Sequence, residues 1–142
     1  MISELEFSRK LRKSLVGFKA YNFQRVEGNP GVPDLYLTKK GCAAGLWLEL
    51  KVLRVGEGRI KFQPNQSRWL SGCWKDGGAS AVLVAVRGDL LWLVEGSEAC
   101  ELEASRKLQN GPPKGCESLI ELPSTGLRSI GSNLEIILEA RL

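Results

Sequence analysis

Residues 33–51 read PDLYLTKKGCAAGLWLELK, and two short apolar runs within this stretch decide the fold. The first run is DLYLT, the second is GLWLELKV, and a segment containing glycine separates them. Apolar runs of this length with turn residues between them are typical of adjacent antiparallel strands. We therefore predict a strand pair in which Asp34 opens the first strand, while Glu49 and Lys51 lie near the end of the second.

Because side chains alternate along a strand, the second run has two different faces. One face carries Trp47, Glu49 and Lys51, and the other carries Leu46, Leu48, Leu50 and Val52. A carboxylate and an ammonium are costly to bury in so apolar a strand unless other groups pair with them. If Asp34 lies beside them, two carboxylates and one ammonium converge. That arrangement suits a divalent cation held against a phosphate.

Length and composition are those of an ordinary soluble protein, with 142 residues, 43% hydrophobic and 25% charged. We expect a single domain over residues 1–142. The chain has no apolar run of membrane-spanning length and no signal-peptide pattern, so we expect no membrane partner and a cytoplasmic location. Its four cysteines are widely spaced and it has no histidine, which favours reduced thiols over a structural zinc site.

Charge is distributed unevenly along the chain. Residues 1–75 hold 14 Lys and Arg against 6 Asp and Glu, whereas residues 76–142 hold 6 against 10. This imbalance has two interpretations: an ordinary solvated surface, or a cationic face that binds a polyanion such as a nucleic acid.

The N-terminal stretch 3–16 has helical periodicity, and Ser3 is placed to cap its first turn. The predicted buried stripe consists of Phe7, Leu11 and Leu15. Glu4 lies three residues before the first of these, so it is a candidate for an inward-pointing carboxylate. Glu6 faces the basic side of the helix instead. The alternative for Glu4 is an acid that complements the positive end of the helix dipole.

The remaining elements follow from similar patterns. They are a strand at 18–25, a basic connection at 53–63, a helix starting at Pro64 and ending near residue 76, strands at 79–86 and 90–94, a helix at 97–109, an irregular segment at 110–131, and a helix capped by Ser132 and ending at Arg141. Gln66 lies on the apolar stripe of the helix that starts at Pro64. It is either a functional side chain or a glutamine bonded to nearby backbone.

Taken together, these motifs resemble the PD-(D/E)xK nuclease superfamily, and in particular the virus-type replication-repair nuclease (VRR-NUC) family. The matching residues are Gly31, Pro33 and Asp34 in G-x-P-D, Glu49 and Lys51 in E-x-K, and Gln66 followed by Trp69 and Leu70. The opening SELEFSRKL also fits the family's first helix, with either Glu4 or Glu6 as its glutamate. The resemblance covers about residues 3–95 and does not extend to the C-terminal extension, about 96–142.

The resemblance implies a restriction-endonuclease-like α/β core, with a central mixed sheet flanked by helices in the order αβββαβ, plus C-terminal additions. It also implies an endonuclease that hydrolyses DNA with Mg²⁺ or Mn²⁺. The implied metal ligands are Asp34, Glu49, the carbonyl of Leu50, and Glu4 directly or through water. Lys51 would orient the attacking water or neutralise charge on the phosphorane, and Gln66 would position Lys51 or a phosphate oxygen.

Branched or duplex DNA is the implied partner, bound through phosphate contacts. The candidate contacts are Arg25, Arg54, Arg59, Lys61 and Arg68. Stand-alone viral members of the family resemble Holliday junction resolvases, so a homodimer acting in viral replication, repair or recombination, in the host cytoplasm, is expected. Two alternatives remain open: a non-catalytic nucleic-acid-binding module with a buried ion-pair network, and a sequence-specific restriction-type endonuclease.

Overall fold

The computed structural model describes residues 3–23, 31–42, 44–86, 90–123 and 127–141. The helices are α1 (Glu4–Ser14), α2 (Gln66–Lys75), α3 (Ala99–Ala104) and α4 (Leu127–Glu139). The strands are β1 (Phe18–Asn22), β2 (Leu35–Lys39), β3 (Leu46–Leu53), β4 (Ala79–Val86), β5 (Leu90–Glu95) and β6 (Ile120–Pro123). Single 3₁₀ turns at Gly96–Glu98 and Leu108–Asn110 flank α3.

The six strands form one sheet in the order β1-β2-β3-β4-β5-β6. Neighbouring strands are antiparallel, except that β3 and β4 run parallel. A parallel pair requires a crossover, and α2 provides it between these two strands. The predicted mixed sheet and the predicted antiparallel pairing of β2 with β3 are both confirmed.

The sheet is covered on both faces by helices. On one face, α1 and α4 cover the sheet and form one core with Leu46, Leu48 and Leu50 of β3, and we call this side the first core. On the other face, α2 and α3 pack against alternate residues of β4 and β5, and we call this side the second core. All eight residues of β4 are buried, as its nearly all-apolar sequence predicts for a strand covered on both sides.

The first helix forms as the sequence predicts. The Ser3 hydroxyl accepts a hydrogen bond from the backbone N–H of Glu6 at 3.2 Å, which satisfies one of the free donors at the helix start. Phe7, Leu11 and Leu15 are buried in the first core.

Two helix predictions were wrong at their boundaries. The second helix begins at Gln66 rather than Pro64, because Asn65 adopts a left-handed conformation with φ of 70°. The predicted helix at 97–109 is regular only over Ala99–Ala104. It ends at Ser105, whose ψ of 142° is extended, and the chain then turns through the left-handed Lys107.

The prediction of an irregular segment at 110–131 was also wrong, because the short strand β6 pairs with β5 at the edge of the sheet. The last helix begins at Leu127, well before the predicted Ser132 cap. The reason is that its buried stripe starts at Ile130 and continues with Leu134. Gly131 lies within this helix next to Phe18, and a carbon of the Phe18 ring would be 3.6 Å from a β-carbon added at this glycine.

Three further features of the described residues bear on function. No helix in this part of the chain is long and apolar enough to cross a membrane. The four cysteines are free thiols, and burial raises the pKa of Cys116 to about 11. The C-terminal extension supplies Leu134 to the first core and Leu102 to the second, so both faces of the sheet depend on it.

The contribution of α4 to the first core can be measured with a matched pair of substitutions. Leu134 is fully buried, whereas Ile136 on the same helix is 63% exposed. Leu134→Ala should lower the free energy of unfolding by about 2–5 kcal/mol, because it leaves a cavity. Ile136→Ala should change it by less than about 0.5 kcal/mol. Urea denaturation of both variants tests this, and equal losses would contradict the assignment of Leu134 to the core.

Candidate active site

The pairing of β2 with β3 determines which side chains meet. Leu35 pairs with Leu48, so one residue further along the same register Asp34 lies opposite Glu49. The Asp34 N–H donates to Glu49 Oε1 at 3.2 Å, and the Leu50 N–H donates to Asp34 Oδ2 at 3.2 Å. The two carboxyl groups predicted to converge are therefore adjacent.

Lys51 points to the same side of the sheet as Glu49 and is held by two groups. Its Nζ donates to Gln66 Oε1 at 2.8 Å and lies 3.4 Å from Glu49 Oε2. The Gln66 amide in turn donates to Glu49 Oε2 at 3.1 Å. Glu49, Lys51 and Gln66 are 1%, 5% and 8% exposed. Such a buried polar network is stable only because its members satisfy one another.

Lys51 and Gln66 each make one further contact, and the contact between Lys51 and Phe62 was not anticipated from the sequence. The Lys51 ammonium lies 5.0 Å from the centroid of the Phe62 ring, in a cation–π arrangement. The Gln63 N–H donates to Gln66 Oε1 at 2.7 Å, so this oxygen accepts from backbone and ammonium together. This bond confirms the alternative in which Gln66 bonds to nearby backbone, whereas a functional role for Gln66 stays a prediction.

A close approach of two backbone segments places the Asp34 loop against the start of α2. Gly31 has a φ of +98°, and a β-carbon there would lie 2.7 Å from the carbonyl oxygen of Asn65. Only glycine fits this position without displacing the backbone. The contact brings the G-x-P-D loop, which carries Asp34, next to the residue preceding Gln66.

Aromatic rings adjoin the acidic pair on the same face of the sheet. The Trp47 ring lies 4.6 Å from Tyr36, 5.0 Å from Trp69 and 5.2 Å from Phe23, measured between centroids. Tyr36 pairs with Trp47 two residues along each strand from Asp34 and Glu49, and therefore on the same face of the sheet. The rings therefore form an apolar wall along the site and add to the burial of its charged groups.

Burial also changes the acidity of the site. The pKa of the Glu49 carboxyl is raised from 4.5 to about 8, chiefly because burial disfavours its charged form. The neighbouring Asp34 carboxylate raises this pKa as well, and Lys51 opposes the change without cancelling it. Because the two carboxyl groups are adjacent, ionising both is unfavourable. A bound cation would favour the charged state of both.

The donor atoms fit a hard divalent cation. Asp34 and Glu49 offer carboxylate oxygens, and the backbone carbonyl of Leu50 is the third oxygen of the predicted set. Among the described residues there is no cluster of three or more acidic, cysteine or histidine side chains. The site thus contains two carboxylates, and a carbonyl or water would have to complete the coordination.

Glu4 does not point inward, and that prediction was wrong. Its side chain is exposed at the first turn of α1, as is that of Glu6. Helical periodicity predicted that Glu4 shares the buried side of α1 with Phe7, but burial begins at Phe7 and does not extend to Glu4. Of the contacts found in the described part of the chain, none joins Glu4 to Asp34 or Glu49.

The predicted phosphate contacts fall on the surface. Arg54, Arg59 and Lys61 are exposed in the connection between β3 and α2, and Arg68 is exposed on α2. Arg25 lies outside the described residues. The connection and α2 are also the elements that supply Phe62 and Gln66, so the exposed cations are close in sequence to two residues of the buried network.

Comparisons with known proteins support the fold. No family model matches the chain, and no curated protein sequence matches it significantly. Among solved structures, the chain is similar to a Holliday junction resolvase from the archaeal hyperthermophile Archaeoglobus fulgidus, with a TM-score of 0.51. The match covers 92% of this chain and 96% of the resolvase at 14% identity. The predicted restriction-endonuclease-like fold is thereby confirmed.

The raised pKa of Glu49 predicts how stability depends on pH in the absence of divalent cations. Protonated Glu49 contributes stability fully below pH 4.5, and this contribution is lost as pH rises to about 8. Between these two pH values the free energy of unfolding of the wild type should fall by about 1.4 kcal/mol per pH unit relative to that of Glu49→Gln. Urea unfolding in a chelator, in steps from about pH 5 to about pH 8, measures the difference. If the free energies of unfolding of the two proteins change with pH in parallel, the raised pKa is not that of Glu49.

Proposed function

We propose that this protein is a metal-dependent DNA endonuclease, selective for branched DNA, of the virus-type replication-repair nuclease (VRR-NUC) kind. The observation that carries the proposal is the cross-strand pairing of Asp34 with Glu49 beside the buried ammonium of Lys51. The fold shared with a Holliday junction resolvase supports the same activity. A role in replication, repair or recombination follows from such a substrate.

In this proposal Mg²⁺ or Mn²⁺ is held by Asp34, Glu49 and the carbonyl of Leu50. When bound, the cation supplies Lewis-acid polarisation of the phosphate and activation of water. Each carboxyl group already accepts a backbone N–H from the opposite strand, which fixes its orientation before any ligand arrives. Glu4 is omitted from the ligand set because of its exposure.

Lys51 is the group best placed to act on the substrate. Its ammonium is oriented by Gln66 and by the Phe62 ring, so little reorganisation is needed when negative charge develops on a phosphate nearby. Gln66 acts through Lys51 and Glu49, which it contacts with opposite ends of one amide, and it is therefore a positioning residue.

Asp34→Asn and Lys51→Ala should each reduce Mg²⁺-dependent cleavage of a four-way DNA junction by at least about 100-fold. Asp34→Asn keeps an oxygen for the Leu50 N–H, so the fold should persist. Lys40→Ala, which removes an exposed lysine from the turn after β2, is the matched control and should cleave like the wild type. Near-wild-type cleavage by either site variant would remove the site assignment.

The substrate panel for this experiment contains linear duplex, flap and four-way junction DNA. Branch selectivity predicts faster cutting of the branched substrates. Equal cutting of linear duplex would contradict it, and cutting at one fixed sequence would indicate a restriction-type enzyme instead.

One observation favours a second candidate, a nucleic-acid-binding module without catalysis. Lys51 already pairs with Glu49 at 3.4 Å, and Gln66 completes the network without any metal. In such a module the charged cluster would be structural. Calorimetric titration with Mn²⁺ separates the candidates, since the endonuclease binds the ion through Asp34 and the binding module does not.

The proposal includes a two-fold homodimer, because a four-way junction has two-fold symmetry and paired cuts need two active sites. The apolar face of α4 is used within the chain, where Leu134 and Leu138 are buried, while Ile136 remains exposed. The prediction of a dimer thus rests on the symmetry of the substrate, and sedimentation velocity should give a dimer at micromolar concentration. A monomer at that concentration would contradict this part of the proposal.

A further inference from the structure

The basic connection between β3 and α2 is docked against the C-terminal extension. Ile60 in the middle of the connection is 2% exposed and packs in the second core with Leu102 and Leu108. The Leu108 N–H donates to the carbonyl of Gly58 at 2.9 Å. The extension therefore determines where the exposed side chains of this connection are presented.

Arg59 and Lys61 flank the buried Ile60, and both line a groove of about 590 Å³ whose other wall is α3. Arg106 lines the same groove just beyond the end of that helix. Its Nη1 donates to three backbone carbonyls at the C-terminal end of α3, at 3.0–3.2 Å. The Arg106 guanidinium is thus fixed in position while the side chain stays exposed.

The groove carries more positive than negative charge. Its cationic side chains are Arg59, Lys61 and Arg106, and its acidic side chain is Glu103. The Glu103 carboxylate accepts a hydrogen bond from the Ser67 hydroxyl at 2.6 Å, which directs one of its oxygens toward α2. Three cations against one engaged carboxylate attract an extended polyanion.

The groove adjoins the candidate active site through two residues that contact both. Phe62 and Gln63 line it, and these are the residues that contact Lys51 and Gln66. A strand whose phosphate lies at Lys51 would pass directly into the groove. The cations are therefore placed to contact neighbouring phosphates of that strand.

We infer that this groove binds the DNA backbone next to the cleaved phosphate and that Arg106, from the C-terminal extension, is one of its phosphate contacts. The inference rests on the proposed function, since it assigns a path to the strand that the same site would cut. It makes segment 96–110 part of the DNA-binding surface in addition to its place in the second core. The contact is to phosphate, so it strengthens binding without reading sequence.

The test measures junction binding and cleavage by the full chain after substitution of Arg106. Arg106→Gln should raise the Kd for a four-way junction about fivefold at low salt, and reduce the magnitude of the salt slope of log Kd by about 0.9. Binding is measured in the Asp34→Asn background with Ca²⁺ present. The matched control is Arg9→Gln, because Arg9 is exposed on α1, which covers the opposite face of the sheet.

A second pair of variants tests the groove without removing Arg106, whose loss could damage the end of α3. Cys100 is exposed and lines the groove. Cys100→Glu places a negative charge on the groove wall and should weaken junction binding about fivefold, mainly at low salt. Cys100→Gln has the same size as Cys100→Glu without the charge, so at low salt it should bind the junction about fivefold more tightly than Cys100→Glu.

The outcomes separate this inference from the proposed function. If the wild type cleaves junctions but the Arg106 and Cys100 variants match Arg9→Gln in Kd, KM and salt slope, the groove does not bind DNA. If the wild type neither cleaves nor binds DNA, the proposed function itself fails. A raised KM with unchanged kcat in Arg106→Gln supports the groove as a binding surface apart from the chemistry.

Discussion

The register between β2 and β3 is the constraint on which the rest of the molecule depends. Leu35 and Leu48 pair with both side chains fully buried in the first core, and this fixes Asp34 opposite Glu49 on the other face. A slip by one residue would turn Glu49 and Lys51 into the first core and bring Leu50 out of it. The same leucines that stabilise the fold thus also determine which charged groups meet.

Burying those groups has a cost that the local structure offsets only in part. Glu49 and Lys51 each lose their hydration, and hydrogen bonds with Asp34 and Gln66 replace some of it. The part of this cost that the hydrogen bonds do not offset raises the pKa of the Glu49 carboxyl. A buried ionic network contributes little more to the free energy of unfolding than apolar residues of similar size would. If the network binds a cation and a phosphate, those charges compensate the buried charges of its side chains.

Local patterns predicted the parts of the molecule that local physics controls. The alternation in β3 correctly assigned Glu49 and Lys51 to one face, and the all-apolar run of β4 correctly indicated a central strand. Tertiary contacts decided the rest. Asn65 turns left-handed where Gly31 packs against it, and α3 stops where Leu108 enters the second core. Periodicity gives the direction of a side chain such as Glu4 but not the point along the helix where the core ends.

The uneven charge of the chain illustrates the same limit. Counted along the sequence, positive charge belongs to the N-terminal half, and the second half is acidic. In the folded chain Arg106, from the acidic half, lines one groove with Arg59 and Lys61. Screening confines charge interactions to about 10 Å, so the potential at a surface depends on which side chains the fold collects there. An acidic extension can therefore contribute to a basic surface, because in this groove Glu103 is outnumbered by Arg59, Lys61 and Arg106.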